Sequence, residues 1–142
     1  MGKLLERMKD ASRSGVYRAS GDAVILEVVR EAGLDGVVIS FAGVQGKEGL
    51  LKKLAEALGF PTWFGGNWDA LEDSLSDLSW REAPGWVLIL RELDALPRDE
   101  RGMLVEVLAS AAQFWAERGK LFFAVFIDPQ RSLALPDLYK EK

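Results

Sequence analysis

Between Gly66 and Glu82 the chain carries five acidic residues, Asp69, Glu72, Asp73, Asp77 and Glu82, against the single Arg81, which amounts to the whole formal charge of −4. The rest of the chain is neutral. Asp69, Asp73 and Asp77 recur every four residues, a spacing that puts them on one face of a helix with Glu72 beside them. Like charges at that spacing weaken a helix by roughly a few tenths of a kcal/mol per pair, and Asp is a poor helix-interior residue. Local stability therefore does not select the arrangement. Three chemistries could use it: docking of a basic protein, coordination of a hard cation, and carboxylate acid–base hydrolysis. A merely solvated face is the competing explanation. Asp69 and Glu72 sit in the first turn, where the helix dipole and a capping box favour acids, and Asp77 needs no partner. Asp73, further into the helix, is harder to account for in this way.

The composition narrows the choice. There is no histidine and no cysteine, which excludes a Ser-His-Asp triad, a histidine-based nuclease, a zinc site of the usual kind, disulfides and thiolate chemistry. A carboxylate hydrolase would need an acid and a base facing one cleft from opposing elements, whereas Asp69 and Asp73 share one surface. Mg²⁺ or Ca²⁺ would suit oxygen ligands, but no EF-hand loop is present. Gly43-Val44-Gln45-Gly46-Lys47 lacks phosphate-loop spacing and reads as a strand-to-helix turn. The sequence calls for no cofactor. Nucleic acid would be repelled by the acidic segment and a basic protein attracted. No apolar run reaches the roughly 18 residues of a membrane span, and the first residues lack a signal-peptide apolar block, so a cytoplasmic location is expected.

The acids need elements to hold them. Trp63-Phe64-Gly65-Gly66 is a turn in which the glycines let the backbone approach itself or a partner. Asn67 is placed to cap the helix that follows, and Trp68, Leu71, Leu75 and Leu78 mark its apolar side. Phe64 is expected in the core and Trp63 at an interface. Upstream, 36–43 (GVVISFAG) reads as a buried strand, and Leu50, Leu51, Leu54 and Leu58 define a helix stopped by Gly59. Downstream, 86–90 (WVLIL) is a second buried strand. Asp99 can cap a long helix with Met103, Leu104, Val107, Leu108, Ala111 and Trp115 on one face, and 121–127 (LFFAVFI) is a third strand. Trp80, Trp86 and Trp115 read as core anchors, and Arg91, Glu92 and Asp94 as surface charge. Before this region, the first residues read as a frayed surface helix and Val16-Tyr17-Arg18 as a short strand. Asp22 can cap a helix through Ile25, Val28, Val29 and Ala32, closed by Gly33. Buried strands joined by long crossovers predict a small parallel three-stranded sheet packed with helices. The class is α/β without a full three-layer build, plus an N-terminal helical and strand extension.

The run from Trp63 to Asp73 (WFGGNWDALED) resembles the signature of the barstar family, aromatic-aromatic-Gly-x-Asn-x-Asp-Ala-Leu-x-Asp, and the strand and helix order around it follows the same family. The resemblance covers a barstar-like domain at 35–128 and leaves 1–34 as an extension; the tail at 129–142, beyond the last patterned strand, is expected to be loose. The resemblance implies an intracellular inhibitor, not an enzyme, whose acids plug the active site of a basic, barnase-type, guanyl-preferring ribonuclease. Asp69 and Asp73 match the two family aspartates that meet the nuclease's cations. Trp63, Gly65, Asn67 and Trp68 fall on contact positions of the turn and helix start. Glu72 stands where the family prototype has an aromatic contact, and the family's further acid on the long helix maps near Phe114 or Glu117. These departures leave open a non-inhibitory interaction domain of the same fold, with a metal-dependent carboxylate hydrolase as the more distant alternative.

Overall fold

The computed structural model describes residues 2–61 and 66–140. Strand β3 (Gly85–Arg91) and strand β4 (Leu121–Ile127) are the inner strands of a parallel sheet, flanked by β1 (Gly15–Ala19) and β2 (Asp35–Ser40) in the order β1-β4-β3-β2. The apolar runs of β3 and β4 follow from this position. Alternate side chains enter opposite faces of the sheet, and both faces are covered. Trp86, Leu88, Leu90, Phe122, Ala124 and Phe126 join one core cluster, while Val87, Ile89, Phe123 and Val125 join the other.

The three expected strands pair in parallel, with Asp35 opposite Trp86 and Gly85 opposite Leu121. Two details differ from expectation. The N-terminal strand is a fourth member of the same sheet, parallel to β4, with Gly15 opposite Phe123. Strand β2 is half-buried rather than fully buried: Val37 and Ile39 enter the core, while Gly36 and Val38 are exposed. It is an edge strand, so only one of its faces is fully covered.

Helix α3 (Gly46–Leu58), helix α4 (Trp68–Leu75) and helix α5 (Arg98–Ala116) pack on one face. Helix α1 (Gly2–Met8) and helix α2 (Ala23–Ala32) pack on the other. The N-terminal extension thus supplies a helical layer that a core of three strands and α3–α5 does not have, and the whole has three layers. Helix α1 is no frayed surface helix, because Leu4 and Met8 are buried. Asp22 precedes α2 without a side-chain cap bond, and its carboxylate accepts instead from Arg91 Nε at 2.6 Å. Arg91 is therefore part of an ion pair joining the start of α2 to the end of β3.

Two glycines permit close approaches. A Cβ on Gly36 would lie 2.8 Å from Val29 Cγ1, where α2 crosses β2, and one on Gly85 would lie 2.7 Å from the Leu121 carbonyl oxygen.

The tail is docked rather than loose. Arg18 N–H donates to the Pro136 carbonyl and Leu138 N–H to the Arg18 carbonyl, each at 2.9 Å, so the tail runs along the outer edge of β1. Leu138 is buried, and Arg7 Nη1 donates to its carbonyl. The Arg18 side chain, 1% exposed, forms ion pairs with Asp128 and Asp137. Asp128 accepts from the backbone N–H groups of Ser132 and Leu133 and from the Ser132 hydroxyl, turning the chain back after β4. Buried Leu138, partly buried Leu133, Leu135 and Tyr139, and the buried Arg18 carry this docking, a pattern with no regular helical or strand period.

Candidate functional site

Asn67 begins the site. Its Oδ1 accepts from Ala70 N–H at 2.7 Å, satisfying one of the free donors at the start of α4. Leu71 and Leu75 then bury one side of the helix in the core. At the far end, Trp115 Nε1 donates to the Leu75 carbonyl at 2.8 Å and ties α4 to α5. Helical spacing does the rest: once Leu71 and Leu75 face inward, Asp69 and Asp73 face solvent, with Glu72 partly covered beside them.

Asp77 does not belong to this face. Helix α4 ends at Leu75, and the Asp77 N–H bonds back to the Ser74 carbonyl in the turn that follows. Trp68 is partly buried against the core and is not a freely exposed aromatic. Trp63 and Gly65 lie outside the described residues. Gly66 is exposed and left-handed, with φ of 70°.

None of Asp69, Glu72, Asp73 or Asp77 forms an ion pair among the described residues. Nearby cations serve other groups: Arg81 makes a two-bond contact with Asp35, at 2.6 and 3.2 Å. Among the described residues no three acidic side chains converge as ligands of one metal ion would.

A cleft of about 150 Å³ opens between α4 and α5, lined by Trp68, Asp69, Glu72, Met103, Glu106 and Val107. Glu106 adds a third helix-borne acid to the two from α4. The sequence reading missed it and assigned Met103 to the buried face of α5, whereas Met103 is 38% exposed at this cleft. The available signal was position: Met103, Glu106 and Val107 share one flank of α5, but only the packing of α4 shows that this flank borders the acids. Phe114 and Glu117 are not part of the cleft. Phe114 packs edge-on against Trp115 beneath the Arg118 guanidinium, and Glu117 closes the end of α5.

Residues 34–127 match the family model described as Barstar (barnase inhibitor). The chain belongs to the barstar family. The matched region begins just before β2 and ends with β4, so it contains the α4 face and the cleft. It leaves α1, β1, α2 and the docked tail outside. No curated protein matches the chain significantly. No helix among the described residues is long and apolar enough to cross a membrane.

Proposed function

We propose that this barstar-family protein binds a small basic ribonuclease of the barnase type and blocks its active site with the exposed face of α4. The observation that carries this reading is a set of acids with no ion pair among the described residues: Asp69 and Asp73 project from one side of a helix whose other side is locked into the core. A ribonuclease active site must hold RNA phosphates and therefore presents cations. Arginine forks match carboxylates with charge-assisted, often bidentate hydrogen bonds. The cleft beside the acids suits a cationic side chain with an apolar stem, which could lie against Trp68 and Met103 and reach Glu72 or Glu106.

In this reading Asp73 and Asp69 are the principal contacts, Glu72 and Glu106 flank them, and Asn67 and Trp68 hold the start of the helix in place. Trp63 and Gly65 belong to the proposed contact surface through the family resemblance alone. The protein acts in the cytoplasm, contacts no nucleic acid directly and has no catalytic activity of its own.

The test is inhibition and binding against a panel of purified small guanyl-preferring ribonucleases, with the parent protein and Asp73→Ala side by side. Stoichiometric inhibition by the parent, strongly reduced in the variant, supports the proposal. Binding that Asp73→Ala leaves unchanged would mean that the acids are only a solvated face. Failure of every nuclease on the panel to bind would favour the fold's use as a non-inhibitory interaction domain.

A further inference from the structure

The two edges of the sheet are treated differently. At one edge the tail runs along β1: Arg18 N–H donates to the Pro136 carbonyl and the Arg18 carbonyl accepts from Leu138 N–H. At the other edge lies β2. Phe41 N–H donates to the Arg91 carbonyl at 3.0 Å, which sets the alternation along this strand. Asp35, Val37 and Ile39 direct their backbone groups toward β3, and Gly36, Val38 and Ser40 direct theirs away from it. Among the described residues, no partner accepts from or donates to those outward groups.

Edge strands of monomers are ordinarily blunted by lysine, proline, a bulge or a covering segment. Strand β2 (DGVVIS) has no lysine, proline or bulge, and its register against β3 is unbroken from Asp35 to Ser40. Val38, at its centre, is 39% exposed and is one of three large hydrophobic residues described as exposed.

We infer that β2 is a self-association edge, on which a second copy of this chain adds its own β2 in antiparallel orientation across a two-fold axis at Val38. The register supports a second copy as the occupant. Centred on Val38, it pairs Gly36 with Ser40 of the other copy, Val38 with Val38, and Ser40 with Gly36. All three are hydrogen-bonded pairs, formed by the same residues whose groups point outward. The two valines meet as a β-branched cross-strand pair. Asp35, the only charged residue of the strand, falls opposite Phe41 rather than opposite its own copy, so no like charges face each other. The result is a continuous eight-stranded sheet with each outer end covered by a tail. This inference does not depend on the proposed ribonuclease target.

Sedimentation velocity of the full chain across a concentration series tests it, with Val38→Lys alongside. The parent should shift from the 15.7 kDa chain mass toward twice that value as concentration rises. Val38→Lys should lose the dimer over the same range, with an unchanged circular dichroism spectrum. A parent that stays monomeric throughout overturns the inference, as does a dimer that persists in folded Val38→Lys. Should the variant fail to fold, amide exchange of the parent decides. Exchange at Gly36, Val38 and Ser40 that slows with concentration supports the edge, and concentration-independent exchange overturns it.

Discussion

At the scale of single residues, exposure and the end of a helix separate acids that look equivalent as letters. Asp69 and Asp73 extend from α4 into solvent and pair with no cation among the described residues, whereas Asp77 sits in the turn beyond the helix. Asp73→Ala should therefore cost the most binding to the target nuclease and Asp69→Ala the next most. Losses on the order of 2–5 kcal/mol are expected, since truncation leaves the partner's buried cations unpaired. Glu106→Ala should cost less, as its side chain lines the cleft from α5 and not from the α4 face, and Asp77→Ala should be close to neutral. Calorimetric titration beside thermal unfolding of the same four variants checks the ranking. All four should remain folded, because removing exposed like charges is near neutral or mildly stabilising. An equal effect of Asp77→Ala and Asp73→Ala would contradict the role of the helix face.

Individual elements depend on contacts within the protein that position the site. The Asn67 carbonyl oxygen caps α4, so Asn67→Ala should lower stability by about 1 kcal/mol. Gly85 opens β3 directly against the backbone of Leu121. An added methyl there forces the two inner strands apart, and Gly85→Ala should cost about 1–3 kcal/mol as an overpacking change. Denaturant titrations measure both. The Gly85 effect should appear as a lower midpoint with little change in slope, and a midpoint equal to the parent's would show that the strands can shift to accommodate the methyl. Neither contact is evident from periodicity. Asn before an amphipathic run signals a cap, but Gly85 reads only as punctuation before a strand until β4 lies beside it.

For the molecule as a whole, charge and the tail set the responses to solution conditions. A segment holding the entire formal excess of −4 should accelerate encounter with a basic partner, and screening over about 8 Å at physiological ionic strength should slow it. Stopped-flow association rates should fall steeply with added salt, and a flat profile would argue against electrostatic steering. The tail should respond to acid. Burial pushes the Asp128 carboxyl up, but the N–H groups of Leu133 and Ser132, the Ser132 hydroxyl and the charge of Arg18 together hold it below its ordinary value of 3.8. Burial likewise raises the Asp137 carboxyl, and hydrogen bonds and charge from Arg131 and Arg18 bring it below the same value. Groups depressed in the folded state add stability above the ordinary carboxylate value, and that contribution is lost as pH falls through the lower folded one. Protection of the Leu138 amide should therefore hold near neutrality and weaken in acid below pH 3.8. Protection unchanged through that range would exclude the carboxylates as the source of tail docking.

The sequence by itself determined the α/β class, the three core strands and their order with the helices, and the helix bearing Asp69, Glu72 and Asp73. These features follow from patterns that repeat along the chain. Apolar runs mark strands buried on both faces, and Leu71 and Leu75 at helical spacing imply that Asp69 and Asp73 face outward. Only the tertiary structure decided where single, non-periodic residues act. Leu4, Met8 and Leu138 close a second core cluster, and a buried arginine at position 18 receives the tail through Asp128 and Asp137. Glu106 and Met103 reach the acid face only because Trp115 fixes α5 against the end of α4. The physical reason is distance along the chain. A repeating pattern reports on neighbours within a turn or a strand, whereas a contact between residues 18 and 137 leaves no local trace until the sheet brings them together.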